Sequence, residues 1–178
     1  MDASRRFEAE VLPHLDAAFN LARWLLRDDA AAEDAVQEAA LRALRYIGSL
    51  RAGAARPWFL AIVRNACFAQ MGQAGSELTG FEDEHFETLH AAAAGTAPDP
   101  AETLAQRRER AAVDAAIRAL PPVFREVIVL RELEGLAYDE IAQVAGVPAG
   151  TVMSRLARAR ERLRAALAGA GIDDGNKG

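Results

Sequence analysis

Apolar residues recur every three or four positions along most of the chain, a spacing that predicts amphipathic helices. The first helix is expected over residues 7–27. Its predicted buried stripe consists of Phe7, Val11, Leu15, Phe19, Ala22 and Leu26. Asp28 and Asp29 are expected to end it and to cap a second helix over residues 30–47.

The second helix has two distinct faces. Its inward face is predicted to hold Ala32, Val36, Ala39, Ala43 and Ile47. Its other face carries Asp34, Glu38, Leu41, Arg42 and Arg45. Glu38 and Arg42 have the spacing and order of a favourable i,i+4 ion pair, so the pattern alone favours a solvated, salt-bridged surface.

A third helix is expected from Pro57, which suits a first helical turn, to about Met71. One face carries Phe59, Ile62, Val63 and Ala66, and the opposite face carries Trp58, Ala61, Asn65 and Phe68. Two aromatic rings and an amide could stack on an unpaired base and hydrogen-bond to it. Packing of both rings against the earlier helices is the competing interpretation, and the pattern alone favours it.

Residues 73–104 show no sustained period and are rich in Gly, Pro and acids. Because structureless connections longer than about 12 to 15 residues are uncommon within one domain, we expect an acidic flexible linker between two small helical domains. His85 and His90 lie in this stretch, but two isolated histidines do not predict a metal site.

The second domain is expected to start near Thr103, with a helix that ends at Pro121 and Pro122. The segment VFREVIVLREL predicts the next helix. Residues 134–167 then predict a helix-turn-helix, in which Gly146 supplies a positive φ and Pro148 opens the second helix. The chain as a whole is predicted to be all-α.

The second helix of this motif is rich in arginine. Its predicted buried stripe is Val152, Leu156, Ala159, Leu163 and Leu167, which turns Ser154, Arg158 and Glu161 outward. Five arginines accompany one acid, and no regularly placed acids form i,i+4 pairs with them. This favours a helix that binds nucleic-acid phosphate over a purely structural hairpin, which stays the alternative.

Composition and charge refine this interpretation. The chain has 178 residues, 51% of them hydrophobic, and a single cysteine, so it has no disulfide framework. No stretch resembles a membrane span, and we expect a cytoplasmic protein without membrane insertion. The net charge of -5 hides an uneven distribution, because residues 73–104 carry seven acids and no Lys or Arg, whereas residues 105–168 carry eleven arginines and eight acids.

Three segments, in order, resemble extracytoplasmic-function (group IV) bacterial RNA polymerase sigma factors of the sigma-70 family. They are AAEDAVQEAALRAL, RPWFLAIVRNACFA and LPPVFREVIVLRELEGLAYDEIAQVAGVPAGTVMSRLARARERL. The resemblance implies a sigma region 2-like domain over residues 1–72 and a linker over 73–104. It implies a sigma region 4-like domain over 105–168 and a flexible tail over 169–178.

The same resemblance implies partners and site residues. Core polymerase is expected to bind Asp34, Gln37, Glu38 and Arg42. A flipped minus-10 base is expected to meet Trp58, Asn65 and Phe68. Minus-35 DNA is expected to meet Thr151, Met153, Ser154, Arg155, Ala157 and Arg158. An anti-sigma factor is a further implied partner, and the resemblance implies no cofactor, metal or catalytic residue.

Two departures from the family and one alternative function remain. The family usually has a basic run after the position of Asn65, and often Ser or Thr at that of Ala137, where an N-cap would contribute about 1 kcal/mol. Asp139 and Glu140 are expected to offset part of that loss at the positive helix end. A stand-alone helix-turn-helix regulator is the alternative, and an enzyme is the least supported interpretation because no P-loop or metal-ligand spacing occurs.

Overall fold

The computed structural model describes residues 2–73 and 99–172, and every regular element in these two ranges is helical, which confirms the all-α prediction. We call the two ranges the N-terminal half and the C-terminal half. The N-terminal half contains α1 (Ala3–Glu10), a 3₁₀ turn (Leu12–His14), α2 (Leu15–Leu26), α3 (Asp29–Arg45), a second 3₁₀ turn (Ile47–Ser49) and α4 (Ala55–Gln73). The C-terminal half contains α5 (Leu104–Arg118), α6 (Pro122–Ile128) with a π-helical continuation (Val129–Leu133), α7 (Tyr138–Ala145) and α8 (Ala149–Gly169).

Most of the predicted acidic linker, residues 74–98, and the end of the tail, residues 173–178, lie outside the described residues. His85 and His90 fall in that first gap. The predicted domain boundaries stay predictions.

The single helix predicted over residues 7–27 is wrong, because the chain forms α1, a 3₁₀ turn and α2 there. Pro13 lies in the 3₁₀ turn, and its missing N–H and fixed ring are incompatible with an α-helix interior. A 3₁₀ turn has fewer residues per turn, so it shifts the phase of the stripe. Leu26 is consequently only partly buried, and the buried residues of α2 are Ala18, Leu21, Ala22 and Leu25.

The helices α3 and α4 follow the sequence more closely. The Asp28 carboxylate accepts a hydrogen bond from the Ala31 amide at 2.7 Å, which confirms the predicted cap of α3. All five residues predicted to face inward are buried, and Glu38 pairs with Arg42 at 3.0 Å. In α4 the predicted inward face is confirmed for its buried members Phe59, Val63 and Ala66, whereas Ile62 is partly buried.

The helix-turn-helix forms as predicted. Gly146 ends α7 with φ 68°, in the left-handed region that favours glycine, and Pro148 stands immediately before α8. Ala137 offers no capping oxygen to α7. Instead, the Glu140 carboxylate accepts a hydrogen bond from the Ala137 amide at 2.9 Å, so one donor at the helix start is satisfied from within the helix.

The two halves pack against each other, which we call the closed arrangement. Helix α4 lies against α7, and α2 lies against α6, so one hydrophobic cluster runs through both halves. Polar side chains also cross this boundary. Asn20 donates to Glu134, and Arg56 pairs with Glu140 at 3.0 Å.

Arg125 makes the most deeply buried of these polar contacts across the boundary. Its guanidinium is 2% exposed and donates to the carbonyls of Trp24 at 2.9 Å and Leu25 at 3.0 Å, and within its own half to that of Leu120 at 2.8 Å. The first two belong to the last turn of α2, where carbonyls lack partners and the helix dipole is negative. Burial, followed by the charge of Arg27, lowers the pKa of Arg125 to about 9, so the side chain is charged at neutral pH.

We therefore expect Arg125→Met to destabilise the protein by about 3 kcal/mol, because three carbonyls lose a charged donor. Urea unfolding followed by circular dichroism measures this change. Arg107→Ala, at an exposed position of α5, is the control and should shift the free energy of unfolding by less than about 0.5 kcal/mol. An equally small effect of Arg125→Met would contradict the role assigned to the carbonyl contacts.

Candidate nucleic-acid interface

The outward face of α8 presents a compact set of side chains to solvent. Met153 is 56% exposed, and Ser154, Ala157 and Arg158 are exposed beside it. Thr151 lies partly buried in the first turn, where its carbonyl accepts a hydrogen bond from the Ser154 hydroxyl at 3.0 Å. This face can offer a guanidinium, a hydroxyl and apolar contacts to the edges of base pairs.

The arginines of α8 do not all belong to this face. Arg155 lies 3.7 Å from a Glu126 oxygen, Arg160 pairs with Glu132 at 2.7 Å, and Arg162 lies over the Phe124 ring at 5.0 Å. The arginines lack i,i+4 acids as predicted, but the charges of Arg155 and Arg160 are not left for a partner, because acids of other elements lie beside them. The acids come from α6 and its π-helical continuation, whereas i,i+4 reasoning considers only acids within α8.

Arg158 keeps the environment expected of a contact residue. Its side chain is exposed and makes no hydrogen bond or ion pair with the residues that the structure describes. Arg164, further along α8, is exposed in the same way. The charge of α8 that is available to a phosphate or base is consequently smaller than its five arginines indicate.

The face of α4 that was predicted to stack on a base is only partly available. Asn65 is exposed and Trp58 is partly buried, so both can reach a ligand. Phe68 is only 6% exposed and belongs to the hydrophobic cluster, and the Arg64 guanidinium lies over its ring at 3.8 Å from the centroid. Its placement on the exposed face is therefore wrong in the closed arrangement, and for Phe68 the packing interpretation is correct.

Arg64 is a residue that the sequence did not single out. Its Nε donates to Glu126 Oε2 at 2.8 Å and its Nη2 donates to Oε1 at 3.3 Å, which is a bidentate pair between α4 and α6. An arginine within an apolar stretch of a helix carries no local sign of such a partner. The two residues are 62 positions apart in the chain.

Glu126 is 0% exposed and lies between Arg64 on α4 and Arg155 on α8. Burial raises the pKa of Glu126, while hydrogen bonding and the positive charges of the two arginines lower it. Cys67 of α4 is buried nearby, and burial together with the Glu126 charge raises the pKa of its thiol to about 12. The candidate nucleic-acid surfaces of both halves thus meet at one buried carboxylate.

A third surface lies on α3. Asp34, Gln37, Glu38 and Arg42 are all exposed along this helix, as the family resemblance requires of a face that binds another protein. Leu41 is 71% exposed among them. One exposed leucine is ordinary on a protein surface, so the assignment of this face to a protein partner rests on the family resemblance.

The described ranges contain neither a metal-binding cluster nor a membrane-spanning helix. There, no group of three His, Cys, Asp or Glu side chains is arranged to hold a metal ion. Among the described helices, none is long and apolar enough to cross a membrane.

Comparison with protein families agrees with the two-part organisation. Residues 11–75 match "Sigma-70 region 2", and residues 110–163 match "Sigma-70, region 4". The first match spans α2, α3 and α4, and the second spans the helix-turn-helix. The three candidate surfaces all lie within the matched residues.

Individual proteins are similar over most of the chain. The "RNA polymerase sigma-H factor" of Pseudomonas aeruginosa is 34% identical over 169 residues, covering 92% of this chain and 86% of that protein. The "ECF RNA polymerase sigma-E factor" of Escherichia coli is 35% identical, covering 73% and 70%. The "ECF RNA polymerase sigma factor SigE" of Mycolicibacterium smegmatis is 33% identical over 89% of this chain, which spans 60% of that relative's length.

Solved structures show the same fold. The sigma factor RpoE of Bartonella quintana, in complex with the anti-sigma factor NepR, superposes with a TM-score of 0.70 at 28% identity. The alignment covers 91% of this chain and 96% of that one. CnrH in complex with the cytosolic domain of CnrY gives a TM-score of 0.64 at 25% identity, with 93% and 90% covered.

Proposed function

We propose, for a chain that belongs to the extracytoplasmic-function sigma factors of the sigma-70 family, that it gives promoter specificity to bacterial RNA polymerase. The observation that carries the proposal is the exposed face of α8 within the region 4 match, in a chain that also matches region 2. A sigma factor of this kind is a dissociable binding subunit, without enzymatic chemistry of its own. It works in the cytoplasm, where polymerase and DNA meet.

Minus-35 DNA is assigned to α8. Arg158 and Ser154 supply the polar readout in the major groove, and Met153 and Ala157 supply apolar contact, for example to a thymine methyl group. Thr151 and the start of α8 lie where a phosphate would bind a helix N-terminus. Arg155 joins this set only after its contact with Glu126 is broken.

The minus-10 element is assigned to α4. Asn65 has both a donor and an acceptor for the edge of an unpaired base, and Trp58 offers an adjacent aromatic surface. Phe68 supports this surface from inside through its contact with Arg64. No charged residue follows Asn65 in α4, so phosphate contacts at its end are few and melting depends more on polymerase or on promoter deformability.

Core polymerase is assigned to the exposed face of α3, through Asp34, Gln37, Glu38 and Arg42. The superposed RpoE structure contains a sigma factor with the anti-sigma factor NepR, which supports an anti-sigma factor as a further partner here. We also propose the division into residues 1–72, 73–104, 105–168 and 169–178.

Run-off transcription tests the function directly. The protein, mixed with core polymerase, should produce transcripts with one start site from a promoter selected by the holoenzyme. Core polymerase alone and the variant Leu41→Glu, which places a charge on the α3 face, are the controls and should give no such transcript. Specific DNA binding without polymerase and without transcription would instead identify a stand-alone helix-turn-helix regulator.

Arg158→Ala should weaken holoenzyme binding to the selected promoter by about 1–3 kcal/mol, because the arginine reads a base in the minus-35 element. Competition assays with promoters altered at single minus-35 positions should show relaxed preference at one of them. Arg164→Ala removes the same charge from the same helix and is the matched control. An equal loss on all sequences would identify Arg158 as a phosphate contact.

Asn65→Ala should leave binding to closed duplex promoter unchanged and reduce promoter opening about tenfold, which corresponds to roughly 1.4 kcal/mol for one lost hydrogen-bond set. Permanganate reactivity of minus-10 thymines measures the opening. Gln70→Ala alters an amide on a different face of α4 and should open normally. Normal opening by the Asn65 variant would remove this residue from the proposed site.

A further inference from the structure

One buried carboxylate joins the two helices that are assigned to DNA. Glu126 of α6 contacts Arg64 of α4 at 2.8 Å and Arg155 of α8 at 3.7 Å. Glu126 is 0% exposed, and the side chains of Arg64 and Arg155 are 18% and 22% exposed. The three residues come from both halves, so this cluster exists only while the halves are packed together.

Not every hydrogen-bond donor of this cluster has an acceptor, so its arginines can exchange Glu126 for a better acceptor. Nη1 of Arg155 is buried, yet it has no hydrogen-bond partner among the described residues and only the distant Glu126 oxygen as a counter-charge. Burying charges without full hydrogen bonding is costly, so such a group gains by meeting a better acceptor. A DNA phosphate is such an acceptor, because it forms short charge-assisted bonds with arginine.

The proposed function requires the halves to separate. The centres of the minus-35 and minus-10 elements are about 25 base pairs apart, or about 85 Å along B-form DNA at roughly 3.4 Å per pair. Arg64 and Arg155 instead contact the same carboxylate in the closed arrangement. Helices α4 and α8 therefore cannot occupy both elements until the Arg64–Glu126 contact between the halves breaks.

We propose that Glu126 acts as an internal substitute for DNA phosphate, which retains Arg64 and Arg155 in the closed arrangement. Separation of the halves breaks its pair with Arg64 and exposes Glu126 to water, which weakens the 3.7 Å contact with Arg155 inside the C-terminal half, so both arginines become available to nucleic acid. This inference rests on the proposed function. The competing interpretation is that Glu126 is a core residue whose pairs persist unchanged on DNA. The two interpretations differ in whether DNA binding and separation of the halves are coupled.

Cys67 provides a built-in reporter of that separation. It is the single cysteine of the chain, it is buried, and its thiol lies near enough to Glu126 for that charge to act on it. Burial holds the thiol protonated and shielded, and both conditions slow its reaction with a maleimide. Cys67 is three positions after Arg64 and so lies on the same face of α4, the face that contacts the C-terminal half. We therefore expect the rate of alkylation to rise when α6 moves away from α4.

Glu126→Gln tests the proposal in the full chain without polymerase. It should raise the rate of Cys67 alkylation about tenfold or more. Arg64→Gln breaks the same pair but keeps the Glu126 charge, so a similar rise in that variant shows that the gain is not a direct effect of the lost charge on the thiol. Glu126→Gln should also steepen the salt dependence of binding to random-sequence duplex DNA by about two units, roughly 0.9 for each released arginine. The matched control is Glu10→Gln, which removes the same charge from the Arg6–Glu10 pair of α1, away from the helices assigned to DNA, and should change neither quantity beyond the effect of net charge.

The unmodified protein gives an independent test if the Glu126→Gln substitution prevents folding. Because coupling between two equilibria is reciprocal, saturating random-sequence duplex DNA should accelerate Cys67 alkylation in the unmodified chain. No acceleration, or a Glu126→Gln variant with unchanged alkylation and salt dependence, would overturn the proposal. Neither assay uses transcription, so a failure of the proposed sigma function in run-off assays is distinguishable from a failure of this coupling.

Discussion

Two buried charges on consecutive residues, Arg125 and Glu126, determine how the halves of the molecule meet. Successive side chains of a helix point about 100° apart, so this pair faces two different neighbours. Arg125 reaches the carbonyl end of α2, and Glu126 reaches arginines of α4 and α8. Each charge is stable in the interior only with these partners, and together they fix the rotation and position of α6 against the N-terminal half.

The apolar contacts around this pair could not supply that precision alone. Hydrophobic burial is non-directional, so the apolar contacts of α2 with α6 and of α4 with α7 do not by themselves fix one position along the helices. The Arg125 guanidinium, in contrast, reaches the carbonyls in the last turn of α2 only when α6 has one position against that helix. Hydrophobic area therefore brings the halves together, whereas the buried polar contacts select one arrangement among many.

Local patterns in the sequence predicted most of the helices but not the contacts between the halves. The cap at Asp28, the left-handed turn at Gly146 and the first three positions of the buried stripe of α8 depend on neighbours a few positions away, and the sequence displays them directly. Leu163 and Leu167, at the end of that predicted stripe, are only partly buried. Arg64 and Glu126 are 62 positions apart, so no local rule pairs them. The same limit applies to Phe68. Its position in α4 suggested exposure, whereas in the fold it is buried beside Arg64. For the candidate site, the sequence predicted which residues lie on the helices, and only the fold shows which of them have partners inside the protein.

The accessible charge of α8, rather than its formal charge, decides how strongly the closed arrangement attracts DNA. Arg155 and Arg158 are three positions apart, yet one lies beside a buried carboxylate and the other is exposed. The negative charge of a neighbouring carboxylate offsets the charge of an arginine, so Arg155 adds little to the attraction of α8 for phosphate while it lies beside Glu126. Opening the halves would then change DNA affinity and domain spacing in one step. A protein that binds two separated DNA elements benefits when both properties change together. Tight binding by one half alone would hold the protein at DNA sites that offer nothing to the other half.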